Sequence, residues 1–413
     1  MDVRRPIWIH RVRATGAESF ALLFALESLA RALIVSIIPV EALRLLGSAQ
    51  KVSTLFFIVA IAGIAATLTV PWLVRKSARC WVYTLGAAFL AAAPLVMWAG
   101  TTAALALGMT LRVVGVVMLT VCLSLYILDH VARQDFNRSE PMRIFYAAAA
   151  WTVGPALGAW LGTRVGLWAT YLASSGAVLA LLAYFWFLRI REVPPLTSFR
   201  GHSVSPIAHL ARFCRQPRLV FAWIAAVGRY IWWVMFFVYV PIYVVQQGYG
   251  QMTAGLLVSA GSGLLFLLPL FGRCVRYFGV RRVMVAGFAA SGTMTLLFAL
   301  ATPLPWLAFA AVLAATLAMV SLDAVSNIPF MLAVRRHERA EMTAVYSTYR
   351  DIGEITAPGV FALLLKLFAL PVVFAVTGAA MLGLAALSKN VHPRLGRAPP
   401  APSEPIPLGT EAA

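Results

Sequence analysis

Apolar runs about twenty residues long alternate with short, Arg-rich polar breaks from near residue 17 to near residue 388. A hydrocarbon core of about 30 Å is crossed by roughly 20 residues of α-helix, at about 1.5 Å of rise each. On that ruler the pattern predicts twelve spans, numbered here in chain order: 17–39, 52–74, 80–99, 102–128, 143–165, 167–188, 218–245, 252–271, 281–301, 304–328, 343–367 and 370–388. Gly and Pro interrupt several of them, which membrane helices tolerate where neighbouring helices cover the freed backbone. The expected fold class is therefore an all-α membrane protein of twelve transmembrane helices.

Composition agrees with the pattern. Of 413 residues 61% are hydrophobic and 12% charged, and the mean hydropathy of +0.85 lies outside the range of soluble domains. With both termini placed inside, 26 of the 34 Lys and Arg residues fall in inner segments. Four fall in outer turns (Arg44, Lys51, Arg164, Lys366) and four within spans (Arg31, Arg112, Arg229, Arg350). Cytoplasmic loops carry such an excess, so the net charge of +19 reads as orientation. It is spread over every inner loop instead of one patch, which excludes nucleic acid as the expected partner and favours membrane lipids. The expected location is a plasma membrane, of the bacterial inner-membrane kind, with both termini cytoplasmic. Span 1 is too long for a cleaved signal peptide and holds Glu27 and Arg31.

The longest inner loop, 189–217, contains Pro194, Pro195, Gly201 and Pro206 and divides the spans six and six. The expected organisation is an N-terminal tail 1–16, a first six-helix bundle 17–188, a linker 189–217, a second bundle 218–388 and a tail 389–413. The Pro-rich stretch 398–413 is expected to be disordered. The halves echo each other at an offset near 202: Pro39 with Pro241, RSE at 138–140 with RAE at 339–341, and Pro155 with Pro358. Parallel six-helix repeats are a transporter architecture with the solute site between them near the midplane. The four cysteines, Cys80, Cys122, Cys214 and Cys274, have no metal-ligand spacing and no disulfide context. No metal, cofactor or enzymatic constellation is expected, and the chain is expected to act as a monomer.

Three stretches resemble the major facilitator superfamily. The inner loop between spans 8 and 9, GRCVRYFGVRR, places Gly272, Arg276, Gly279, Arg281 and Arg282 as in that family's inner-loop signature; PWLVRKSARC in the first half keeps Arg75 and Arg79 without the family's Asp and Gly. Arg112 in LRVVG resembles the mid-helix Arg associated with proton coupling, with Gly115 one residue closer than the pattern. Gly154, Pro155 and Gly158 in WTVGPALGAWLG partly resemble the antiporter Gly-Pro signature. The resemblance implies two pseudo-symmetric bundles that rock about a central site, with Arg276 and Arg281 at the inner gate. On the residues themselves, packing is the favoured reading of Gly154, Pro155 and Gly158. Gly154, Gly158 and Gly162 in span 5 and Gly255, Ser259 and Gly263 in span 8 recur every four residues, so the two stripes are expected to let spans 5 and 8 approach closely.

Eight charges fall inside spans: the four arginines above with Glu27, Asp323, Asp351 and Glu354. Each would cost about 2.5–3.5 kcal/mol at the bilayer centre, so each must face protein or water. Arginine holds its proton; the titrating site is expected among Glu27, Glu354 and Asp351. Glu27, Arg112, Arg229 and Glu354 share a midplane depth, and Glu27 and Arg229 are equivalent at the offset of 202, which sets them opposite each other. Asp323 and Arg350 lie nearer the inner side, as an inner gate or a structural pair. Arg31, Arg112, Arg229, Tyr230 and Trp233, with Phe237, are the expected solute contacts. The expectation is a proton-coupled secondary transporter of a small anionic or aromatic solute. A drug or metabolite efflux antiporter and a non-transporting scaffold or receptor are the alternatives.

Overall fold

A computed structural model of the protein describes residues 17–130, 136–188, 206–301, 304–325, 327–335 and 338–389. The tail 1–16, residues 189–205 of the linker and the Pro-rich stretch 398–413 lie outside these, as do the side chains of the RSE segment. The described residues form helices joined by short turns, without strands.

Span 1 runs Ala17–Val35 and continues as Ile37–Leu46, so it is longer than its hydropathy predicts and takes in Arg44, which pairs with Glu41 at 2.8 Å. Spans 2 to 7 are Ala49–Lys76, Arg79–Met97, Thr102–His130, Phe136–Arg164, Leu167–Phe187 and Pro217–Gln246. Span 8 is Gly250–Gly263, a single 3₁₀ turn and Leu268–Phe278; spans 9 and 10 are Val280–Leu300 and Pro305–Asp323, the latter continued by Ile328–Ala333. Span 11 is Arg339–Ser347 and Tyr349–Leu367, and span 12 is Pro371–Ser388. Among the described residues, eleven spans are long and apolar enough to cross a membrane. The twelfth, span 11, falls short because Arg350, Asp351, Glu354 and Lys366 all lie within it.

Turn chemistry fixes the first hairpin. Gly47 adopts φ 75°, a left-handed conformation that glycine reaches without a Cβ clash, and its N–H caps Leu43 O at 2.8 Å. Ser48 Oγ then accepts from Lys51 N at 3.3 Å to start span 2.

The small-residue stripes work differently from the expectation. A Cβ at Gly154 would strike Ala32, and one at Gly158 would strike the backbone of Leu33, so this stripe seats span 5 on span 1. The approach of spans 5 and 8 comes from the other partner: a Cβ at Gly255 would meet Ala159 and lie 2.7 Å from Pro155 O. Ser259 Oγ accepts from Ala156 N at 2.8 Å, which satisfies backbone next to Pro155. Successive positions of span 5 thus face opposite neighbours, because residues one apart on a helix differ by about 100°.

With the end carrying Gly47 and Gly248 termed outer, following the charge pattern, the cores show where the halves meet. Ile38, Val52 and Leu55 of the first half share one buried cluster with Tyr239, Tyr243 and Phe361 of the second. The inner core of the first half, around Leu23, Tyr83 and Phe185, is separate from that of the second, around Leu219, Phe330 and Met342. The halves are joined at the outer end and parted at the inner end. Ser53 and Tyr239 share a hydrogen bond of 2.7 Å across the outer closure, and Tyr239 meets the Phe361 ring edge-on.

Gly158→Leu should part spans 1 and 5, and Gly255→Leu spans 5 and 8. Overpacking of this kind costs about 1–3 kcal/mol, read as a lowered unfolding temperature of the solubilised protein; an unchanged temperature for Gly158→Leu would show that spans 1 and 5 separate freely. Tyr239→Phe removes a hydrogen bond worth about 1 kcal/mol and should raise the outward-open population about fivefold. The labelling rate of a cysteine placed at Val35, with a membrane-impermeant thiol reagent applied from outside, measures it. An unchanged rate would mean that the hydroxyl pair does not hold the outer side shut.

Candidate functional site

Beneath the outer closure lies a cavity of about 370 Å³ lined by both halves. Span 1 supplies Arg31, span 2 Phe56, span 4 Arg112 and span 5 Trp151; span 7 supplies Tyr230, Trp233 and Phe237, and span 11 Glu354. Such a cavity, mostly apolar with a few convergent charges, suits a small ligand.

The aromatic wall follows from the register of span 7. Tyr230, Trp233 and Phe237 are three and four apart and fall on one face. Trp233 stacks on Phe237 with centroids 5.5 Å apart and planes 19° apart, and Trp151 tilts against Phe237 at 5.1 Å. On the adjoining face Trp232 and Phe236 stack inside the second half, where Trp232 Nε1 donates to Thr295 Oγ1 at 2.9 Å. Those rings are structural. Trp151 was not among the expected contacts, though its place four residues before Pro155, on the face of span 5 that turns inward, is a readable signal.

Two cations and one acid reach the cavity. Arg31 is about a quarter exposed, donates to Glu27 Oε1 at 3.3 Å and lies 5.8 Å from the centre of the Trp151 ring. Glu27 is fully buried behind it and does not line the cavity; its Oε2 has no partner among the described residues. Arg112 is half-buried, with its Nε shielded and unpartnered among the described residues. Glu354 receives a long hydrogen bond of 3.5 Å from Tyr230 Oη, and Arg31 and Arg112 are the cations acting on it. Asp351, three residues before Glu354 on span 11, is half-buried and outside the cavity lining.

Arg229 is placed differently from the expectation. It does not line the cavity and does not face Glu27: it pairs with Asp323, whose other oxygen accepts from Trp233 Nε1 at 3.2 Å. The expected Asp323–Arg350 pair is therefore replaced, and Arg350 Nε donates to Tyr349 Oη at 3.0 Å instead. The physical reason is depth. Span 10 continues to Ala333, so Asp323 stands about ten residues above its inner end, level with Arg229 about twelve above Pro217. The pseudo-symmetric pairing of Glu27 with Arg229 gives way for the same reason: each acid has a cation nearer at hand. Arg276 and Arg281 flank the turn at Gly279, outside the cavity, and neither has a carboxylate partner among the described residues.

The family model of the Major Facilitator Superfamily matches residues 20–276, well over half of the chain. No curated protein matches it. The fold is similar to that of the peptide transporter POT in complex with sulfate, at TM-score 0.72 and 13% identity over 95% of this chain and 96% of that one. It is similar to the nucleoside transporter NupG, at 0.69 and 14% over 90% and 98%. A bacterial homologue of the iron transporter ferroportin in an inward-facing state gives 0.66 and 15% over 93% and 98%. The spans, the two joined halves and the family match agree: the chain belongs to the Major Facilitator Superfamily and is a membrane transporter of that type.

Proposed function

We propose that the protein is a proton-coupled secondary transporter of a small organic anion with a flat or aromatic body, working in a plasma membrane with the parted, inner end toward the cytoplasm. The solved structures named above belong to proteins described as peptide and nucleoside transporters and a homologue of an iron transporter, so the fold does not select a solute. The cavity must. One observation carries the reading: two guanidinium groups and one carboxylate share a chamber walled by Trp151, Tyr230, Trp233 and Phe237.

Charge balance supplies the coupling. Glu27 offsets Arg31 from behind, which leaves Arg112 opposite Glu354 with no ion pair tying either among the described residues. With Glu354 ionised, the chamber is neutral. With Glu354 protonated, Arg112 keeps its charge, and an uncompensated cation in a low-dielectric chamber attracts an organic anion. Proton and anion then load and leave together. A guanidinium fork receives a carboxylate in two parallel hydrogen bonds, and the rings stack on a flat body. Arg229 and Asp323 take a different part: they neutralise each other beside the chamber and fix Trp233 by its indole N–H.

Aromatic carboxylates screened for thermal stabilisation of the purified protein would identify a ligand, and flux in proteoliposomes would then test the reading. Glu354→Gln keeps size and hydrogen bonding but cannot titrate. It should abolish accumulation driven by a proton gradient while exchange of labelled solute persists; normal pH dependence in that variant would move the proton site to Glu27.

Arg229→Ala leaves Asp323 buried without its cation, a loss of about 3–5 kcal/mol, and should lower the yield of folded protein. The double variant Arg229→Met with Asp323→Asn, which removes both charges and keeps an oxygen for the Trp233 indole N–H, should recover both folding and flux. A well-folded double variant without flux would give the pair a direct part in transport.

A further inference from the structure

A second cavity, of about 390 Å³, lies between the inner ends of spans 10 and 11. Its span 11 wall is a single helical face: Arg339, Thr343, Ser347 and Arg350 recur at steps of four, four and three, and all four are exposed. Thr348, at the junction of the two helices, has φ −63° and ψ −11°, so the helical register carries across it. Four residues further along the same face stands Glu354, which lines the central cavity about 6 Å deeper. The floor is apolar: Phe330 stacks on Tyr346 with centroids 4.2 Å apart and planes 14° apart. Met331, 60% exposed, forms a rim.

This cavity is basic because its neighbouring acids are turned away. Glu338 pairs with Arg212 at 2.7 Å, and Glu341 meets Arg212 at 3.5 Å and His209 at 3.2 Å, so both face the linker helix Pro206–Cys214 on the other side of span 11. Asp351 follows Arg350 in the chain, about 100° further round the helix and outside the cavity lining; Arg350 is the cation acting on it, without an ion pair between them. Neither Arg339 nor Arg350 has a carboxylate partner among the described residues. Arg350 uses its Nε on Tyr349 Oη, which holds the guanidinium in place.

We propose that this cavity is a second anion site, an inner station that holds an organic anion with a flat apolar body between the cytoplasm and the central chamber. Its solute class rests on the function proposed above; its location rests on the basic stripe alone. Arg339 and Arg350 stand at the two ends of a stripe about 16 Å long, with two hydroxyls between them, so an anion passes from one guanidinium to the next without crossing bare hydrocarbon. The stripe ends at the carboxylate whose protonation is proposed to admit it.

Phenylglyoxal modification read by mass spectrometry, residue by residue, tests this on the full chain in lipid nanodiscs with 2-naphthoate as probe. In phosphatidylcholine discs, 2-naphthoate at about ten times its dissociation constant should slow modification of Arg339 and Arg350 about tenfold. The neutral 2-naphthamide should leave both rates unchanged, as should naphthoate at the exposed control Arg282. The same protection should persist in Arg112→Gln, and in Glu354→Gln as a second central variant should the first fold poorly. Equal rates with and without naphthoate, or equal slowing at Arg282, would overturn the site. Protection lost in both central variants would trace the effect to the central chamber and overturn it too. Protection by phosphatidylglycerol discs with none from naphthoate would assign the cavity to a lipid headgroup and overturn the solute station. Loss of naphthoate flux with protection at Arg339 and Arg350 intact would count against the central-chamber reading and leave this site standing.

Discussion

Ionised groups inside a hydrocarbon slab must be matched or wetted, and the rest of this structure is arranged around that requirement. Each of the eight intramembrane charges would be expensive against lipid. Two acids meet it by pairing with arginine: Glu27 is buried against Arg31, and Asp323 against Arg229. Burying such a pair adds little net stability, because desolvation consumes most of the Coulomb gain. What pairing does is offset those four charges. Of the other four, Arg112 and Glu354 line, together with Arg31, a chamber that a third component can enter, and Arg350 and Asp351 lie outside it.

The chamber exists because the two halves touch closely in some places and not in others. Glycines let span 5 rest on span 1 and span 8 rest on span 5, so the backbones meet without intervening side chains. At the outer end the two cores merge and Ser53 bonds Tyr239; at the inner end each half keeps a core of its own. A rocking motion about the central site has to exchange these two conditions. The backbone junction of span 11, at Thr348, lies within the inner basic stripe, between Ser347 and Arg350 and below Glu354.

The linker helix Pro206–Cys214 has a related role. By taking up Glu338 and Glu341 it fixes the first turns of span 11 to the second half and leaves the opposite face of that helix positively charged. A loop that reads from sequence as a tether between bundles is thus also part of the electrostatics of one of them.

The spans themselves, their grouping six and six and the unusual character of span 11 follow from sequence alone, because twenty apolar residues in a row have one comfortable environment and alternating basic loops mark one side of it. Helical periodicity likewise separates Tyr230, Trp233 and Phe237 from Trp232 and Phe236. Partner choice did not follow. Asp323 was set against Arg350 because the apolar run of span 10 fades near residue 328, whereas a further helix, Ile328–Ala333, extends the span beyond Asp323, which pairs with Arg229. Gly158 was set against span 8 because small residues announce a close contact without naming the neighbour, and only packing shows that it is span 1. Periodicity and hydropathy are properties of one helix at a time. Which charge meets which, and so which charges are left over to do work, depends on the relative height and rotation of two helices, and only the tertiary structure fixes those.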